Sequence, residues 1–199
     1  MRHFVSFALA ALCVASVPAA HAAPQTYHLE PTHVDVLFAI NHLGFSMKHG
    51  SFRAIAGTLE FDREHPEASE VTITIKADSI DTAFVPRDTD LKGDKFLDAA
   101  KFPEIRFHST HITPAGADAF HVVGDLTLHG VTRPIELEAK LNAVGPNPFD
   151  KKPTVGFSIT GSLKRSDYGI GFLTPMIGDE VTITADAEFN QPAPPARAD

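Results

Sequence analysis

The run Gly124-Asp125-Leu126-Thr127-Leu128-His129-Gly130-Val131-Thr132-Arg133-Pro134-Ile135 decides how the rest of the chain is read. Leading into it, Val122, Gly124, Leu126 and Leu128 share one parity and Val123, Asp125, Thr127 and His129 the other, the period of two that marks a half-buried strand. Beyond Gly130 the alternation resumes, with Ile135, Leu137, Ala139 and Leu141 set against Glu136, Glu138, Lys140 and Asn142. Two strands around a tight reversal follow. Gly130 supplies the positive φ that a hairpin turn needs, and Pro134 near a strand start costs no central ladder bond. The hairpin is architectural and shows no catalytic pattern.

The same period recurs on both sides of it. Residues 26–29 predict a short first strand interrupted at Pro31, and Val36, Phe38, Ile40 and His42 against Leu37, Ala39 and Asn41 predict a strand covered on both faces. Residues 43–52 read as glycine-marked bends, with Phe45 and Phe52 placed to plug one end of a barrel. Ile55, Gly57, Leu59 and Phe61 give a further strand, and Val71, Ile73 and Ile75 the next. From 78 to 103 the alternation disappears. Here Pro86 opens a short helix through Lys92, residues 94–97 form another turn, and Phe102-Pro103 stops it. Because this insert carries Phe84, Phe96, Leu97 and Phe102, it reads as an ordered lid. Strands resume at 104–112, 155–164 and 181–189, with loops at 145–153 and 165–172. The expected fold is all-β: about eight antiparallel strands closed into a barrel, with a short helical lid segment. Closure removes exposed edges. With 15 phenylalanines, no tryptophan and two tyrosines, the interior should be apolar and poor in hydrogen-bond partners.

Residues 1–22 read as a secretory signal: a basic start at Arg2, an apolar stretch from Phe4 to Val17, and the small-x-small ending Ala20-His21-Ala22. Cleavage there leaves a barrel over 23–190 and a disordered Pro/Ala-rich tail over 191–199. The single cysteine, Cys13, lies in the signal, so mature disulfides are excluded; Leu12 and Ala10 stand in the reverse of the order a lipidation site needs. The expected location is the periplasm or beyond. No later segment approaches the roughly 20 apolar residues of a spanning helix, so no stable membrane anchor is expected. The formal charge of −8 becomes about −9 once Arg2 is removed. An acidic chain without a Lys/Arg run argues against nucleic acid and against electrostatic docking on anionic lipid.

The chain resembles the YceI family of exported, lipocalin-like proteins, also called the polyisoprenoid-binding family. The resemblance rests on the run from Gly124 to Pro134 and on Phe38-Ala39-Ile40-Asn41-His42-Leu43-Gly44-Phe45-Ser46 with Gly50-Ser51-Phe52. Arg87-Asp88 with Leu91, Asp94-Lys95-Phe96-Leu97-Asp98, Phe102-Pro103-Glu104-Ile105-Arg106-Phe107 and Arg165-Ser166-Asp167-Tyr168-Gly169 complete it. Together these cover essentially the whole mature chain. The resemblance implies a lipocalin-like barrel whose apolar tunnel binds a long-chain isoprenoid or acyl lipid. Two positions depart from it. Val34 stands where relatives usually carry a small hydroxyl residue, and Asp90 where many carry a histidine; near a head group, Asp90 would repel phosphate.

In such a tunnel Phe38, Ile40, Leu59, Phe61, Ile73, Phe107, Leu126, Phe157 and Ile159 are expected to line the wall, and Phe45, Phe52, Phe84, Phe96 and Phe172 to close the mouth. His42 continues the apolar parity and is either a core histidine with a satisfied hydrogen bond or a polar anchor for a head group. Eleven histidines raise the question of a metal, which spacing mostly answers. His108 and His111, three apart on a strand, should face opposite ways, and His121 and His129 lie about 26 Å apart. His28, His33, His42 and His49 meet only if the fold brings them together. Ser46, His42 and Asp35 can be forced into a nucleophile–base–acid set, but there is no nucleophile elbow, no glycine-rich phosphate loop and no mature cysteine. Arg87-Asp88 and Arg165-Asp167 read as internal ion pairs fixing the two irregular segments. The expected function is therefore a non-enzymatic lipid carrier without a cofactor. Alternatives are an accessory of a membrane cytochrome and quinone system, or a lipid-modifying enzyme dependent on His42. A homodimer and a membrane cytochrome are the protein partners left open.

Overall fold

The computed structural model describes residues 23–192; the expected signal segment and residues 193–199 of the expected tail lie outside them. In chain order the elements are β1 (Gln25–His42), β2 (Ser46–Phe52), β3 (Ile55–Phe61), β4 (Glu70–Lys76), β5 (Ile80–Asp81), α1 (Val85–Lys92), β6 (Glu104–Pro114), β7 (Ala119–Leu128), β8 (Val131–Pro146), β9 (Pro153–Lys164) and β10 (Ile177–Asn190). Every pairing is antiparallel, and the β10–β1 ladder closes the sheet on itself. β1 pairs with β3 through its first residues and with β2 through its last, so β2 and β3 act as one stave broken at Arg53-Ala54. β4 and β5 follow suit as partners of β3 and β2. The result is an eight-stranded closed antiparallel barrel with one short helix.

The hairpin around His129-Gly130 forms as its alternation requires. Leu128 pairs with Val131, leaving a two-residue turn in which His129 and Gly130 have φ of 52° and 75°. Such a primed turn matches the twist of the flanking strands. A side chain at Gly130 would meet the Phe102 ring, and His129 Nδ1 donates to the Tyr168 carbonyl at 3.1 Å. Pro134 pairs only with β7, because the β8–β9 ladder begins at Leu137.

Three strand expectations are corrected. β1 does not stop at Pro31. Its ladder to β10 skips between Leu29 and Val34, so the missing proline N–H falls where no ladder bond is formed. That bulge also reverses the parity: Tyr27 and Leu29 are buried before it, and the even-numbered residues face inward after it. Second, only residues 43–45 turn; residues 46–52 form β2. Third, the outer face of β1 is not covered, since Leu37 is 45% exposed. At the other margin, Gln191 donates its N–H to the Pro153 carbonyl and its side chain to Gln25, so the ordered pairing reaches past β10.

One end of the barrel is filled. Tyr27, Phe61, Phe120 and Phe157 meet edge-to-face, with centroids 6.5 Å apart for Tyr27–Phe61, 5.6 Å for Phe61–Phe157 and 6.4 Å for Phe120–Phe157. Leu141, Val155 and Phe189 complete this buried plug.

Candidate functional site

Above the plug the barrel is hollow. A cavity of about 960 Å³ runs from Phe61, Phe120 and Phe157 toward α1, walled by the inward residues of the staves. Its middle is kept open by small residues on the inner face. A Cβ at Gly50 would overlap the Phe38 ring at 2.3 Å, and one at Gly124 the Phe107 ring at 2.4 Å, so those rings lie flat against the sheet. Eight strands give an interior wide enough for self-filling or for one small ligand, and these glycines favour the second.

The mouth is covered by α1 and the turns after it. Thr82 anchors this cover: its N–H donates to Asp88 Oδ1 at 2.9 Å and its hydroxyl donates to the same oxygen. Arg87 Nε donates to the Thr82 hydroxyl at 2.8 Å and Nη2 to the Thr82 carbonyl at 2.7 Å. Arg87 and Asp88 therefore meet through Thr82, not as the expected direct ion pair. Asp81 supports the same turn by accepting from the Ala83 N–H and from Arg53 Nε, which hold its carboxyl below the usual range. Further on, Phe96 packs edge-to-face on Phe172 at 5.6 Å, and Lys95 Nζ lies 5.0 Å above the Phe172 ring.

The opposite side of the mouth is the loop between β9 and β10, organised by Arg165. This guanidinium is only 4% exposed. It donates from Nε to the Gly178 carbonyl, from Nη1 to those of Ile170 and Phe172, and from Nη2 to Thr174 Oγ1 and the Ile177 carbonyl, at 2.7–3.0 Å. All five donors are engaged. Arg165 thus lines the cavity yet has no donor left for a ligand, and the expected Arg165–Asp167 pair is replaced by a loop clamp. Burial pushes the guanidinium below its ordinary pKa, with Asp179 opposing.

Of the fifteen residues expected at a ligand, thirteen line the cavity: Phe38, Ile40, His42, Phe52, Leu59, Phe61, Ile73, Phe96, Phe107, Leu126, Phe157, Ile159 and Phe172. Phe45 and Phe84 do not. Phe45 stands at the tip of the β1–β2 turn, 90% exposed, just after Leu43 and Gly44, whose φ is positive. Phe84 precedes α1 with its ring under the Arg87 guanidinium, 5.6 Å away.

His42 is half-buried and faces the cavity, and its ring has no hydrogen-bond partner among the described residues, so the satisfied-core reading does not hold. Its companion is Lys48, which the sequence reading missed. Lys48 pairs with Ile40 and His42 with Ser46, which puts Lys48 on the inner face diagonally across from His42. Its amine has no ion-pair partner among the described residues. The available signal was the parity Phe52, Gly50, Lys48, hidden by reading 43–52 as bends.

The remaining sets do not assemble. Asp35 is on the outer face, seven residues along β1 from His42 and so about 23 Å away, which separates it from Ser46 and His42. His28 and His33 lie near the plug, while His49 pairs with outward Ala39. His108 and His111 do share a face, contrary to the parity count, because a bulge between Ser109 and His111 turns both outward. They still diverge: His108 approaches Thr72 and Glu70, and His111 approaches Thr110. No group of three metal-ligating side chains forms among the described residues. No helix among them is long and apolar enough to cross a membrane.

The model of the YceI-like domain matches residues 27–189. Protein YceI of Salmonella arizonae and that of Salmonella paratyphi B are each 39% identical over 169 residues, covering 85% of this chain and 87% of theirs. Among solved structures, the Campylobacter jejuni YCEI protein superposes with a TM-score of 0.70 at 29% identity, over 77% of this chain and 90% of that one. Burkholderia cenocepacia BcnA gives 0.73 at 22% identity, over 80% and 98%. A polyisoprenoid binding domain from Saccharophagus degradans, implicated in plant cell wall breakdown, gives 0.67 at 16% identity, over 83% and 98%. The last two likenesses speak for the fold.

Proposed function

The chain belongs to the YceI family, and from that membership together with the cavity we propose that it is an exported carrier that holds one long-chain isoprenoid or acyl lipid inside the barrel. The observation that carries this reading is the unfilled apolar interior, closed at one end by aromatic rings and polar only at the other. A hydrocarbon chain entering it would gain roughly 0.8 kcal/mol per buried CH₂. Few polar contacts are then needed to hold it.

The head group would sit at the mouth, within reach of His42 and Lys48. Asp90 and Asp94 line the same opening as Lys48, Lys95 and Arg87, so both signs are present and neither dominates. This balance favours a neutral head that accepts hydrogen bonds, such as a quinone carbonyl, over a pyrophosphate. Binding is the whole of the proposed activity.

Native mass spectrometry of the protein purified from its own cell compartment, followed by denaturation and identification of the released molecule, tests it. A stoichiometric isoprenoid or acyl chain is the expected result. Protein that arrives empty and takes up no long-chain lipid afterwards would overturn the carrier reading.

A further inference from the structure

Ten large hydrophobic side chains are exposed among the described residues, and eight of them come from three short segments, 43–47, 84–85 and 172–176. These segments are neighbours around the cavity opening. The Leu43 N–H donates to the Met176 carbonyl at 2.9 Å, which joins the β1–β2 turn to the β9–β10 loop. Each segment continues into the cavity wall: His42 and Lys48 flank the first, Thr82 and Arg87 the second, and Phe172 belongs to both rim and wall. Segments 43–47, 84–86 and 171–176 contain no Asp, Glu, Lys or Arg, in a chain that is 21% charged. The far end offers the contrast. Its one exposed ring, Phe149, stands beside Asp150, Lys151 and Lys152.

We infer that the uncharged rim formed by these three segments is a membrane-docking surface, which seats the barrel mouth in the hydrocarbon margin of a lipid bilayer so that a chain can pass between bilayer and cavity. The inference rests on the carrier reading, because a long-chain lipid has a vanishing free concentration in water and must be collected from a membrane. The shape of the rim selects the occupant. Phe45 is 90% exposed and Val85 76%, so these side chains project as separate points. A rigid protein partner needs a continuous complementary patch of about 800 Å² on each side, whereas a fluid interface accepts isolated apolar points sunk by roughly 5–10 Å. The three segments carry no charge of their own, and the charges beside them, Arg87 over Phe84 and Lys95 over Phe172 with Asp90 and Asp94, are of both signs, which fits a neutral or zwitterionic lipid surface. Docking should then be insensitive to salt.

Flotation of the purified protein with phosphatidylcholine vesicles, at low and high salt, is the test. Phe45→Asp with Val85→Asp is the variant, since both residues lie outside the cavity. The expected results are salt-insensitive flotation of the wild type, a loss of about ten-fold or more in the variant, and unchanged binding of a long-chain fluorescent fatty acid delivered in detergent. Wild type that stays off the vesicles, or a variant that floats equally well, overturns the docking surface while leaving the carrier reading standing. Failure of the wild type to bind the probe in detergent overturns the carrier reading instead. A wild-type dimer that the double substitution turns into monomer, with no effect on flotation, assigns the rim to a second copy of the chain and overturns the proposal. Thermal unfolding of the variant, expected within a few degrees of wild type, separates loss of docking from loss of fold.

Discussion

The two ends of the barrel are built on different physics. At the plug, Tyr27, Phe61, Phe120 and Phe157 pack ring against ring in one core with fully buried Val155, and stability comes from removing apolar area from water. At the mouth, exposed apolar tips stand above half-open space, and the segments are held by hydrogen bonds to backbone groups: Arg165 to the β9–β10 loop, Arg87 and Asp88 to Thr82. Directional bonds at the mouth let the wall between the ends stay unfilled. A barrel that relied on packing at both ends would have no room for a chain.

The contrast is broken most severely at the plug. Phe157→Ala removes the ring shared by Phe61 and Phe120 and should cost about 3–5 kcal/mol, measured as a shift in the urea midpoint at constant m-value. Phe38→Ala is the control in the upper half. That ring lies against Gly50 and 5.9 Å from Phe52, with the cavity on its free side, so its loss should cost only about 1–2 kcal/mol. Equal costs at the two sites would show that the upper half is packed like a core, and the difference between the ends would vanish.

The mouth's reliance on directional bonds is sharpened by Arg165→Lys. Charge is kept, but three donors cannot replace five fixed in one plane, so about 2–3 kcal/mol of stability should be lost. Proteolysis should become faster within residues 170–178, with the plug still protected. A uniform loss of protection across the barrel would mean that the clamp and the plug form one cooperative unit.

How much of this difference could be read from the sequence follows from what alternation encodes. Alternation reports which face a residue takes, so the wall residues Phe107, Leu126, Phe157 and Ile159 were legible, as was the turn at Gly130. It does not report where a ladder skips. The irregularity at 29–34 adds three residues to β1 and the bulge at 109–111 adds one to β6; both are odd numbers and change the parity downstream, and only the partner strands β10 and β7 reveal them. Alternation alone therefore puts His108 and His111 on opposite faces and ends the first strand before Pro31. Lys48 was lost for a related reason, since glycines on both sides of it made a strand look like a bend. Phe45 and Phe84 were aromatic in the right neighbourhood, but whether a turn points its tip into the barrel or away depends on φ angles at its neighbours. That is why the rim emerged from the structure alone.

A smaller effect separates function from stability at the mouth. Lys48→Leu removes an inward amine without an ion-pair partner, so stability should change by no more than about 0.5 kcal/mol. Affinity for a long-chain quinone should fall about ten-fold through the lost hydrogen bond, while affinity for a chain without a polar head stays constant in the same titration. Equal losses for both probes would place Lys48 outside head-group recognition.

The smallest expected effect is acid sensitivity, and it too differs between the ends. At the mouth Asp179 accepts from the Ser166 hydroxyl at 2.7 Å and from its N–H at 2.9 Å, which holds the carboxyl below its ordinary value of 3.8. Near the plug Glu30 is lowered by the Thr32 hydroxyl and N–H. Each depressed carboxyl stabilises the fold at neutral pH, and that contribution is lost as pH falls through its folded-state value. The partners differ in reach. Thr32 is two residues from Glu30, so the same bond forms in part in the unfolded chain, whereas Ser166 and Asp179 are thirteen residues apart and meet only when β9 and β10 are joined. Below pH 4, hydrogen exchange should therefore rise first in residues 165–178. Asp179→Asn should remove that pH dependence, and Glu30→Gln should leave it in place; loosening that starts at the plug would reverse the assignment of the weaker end.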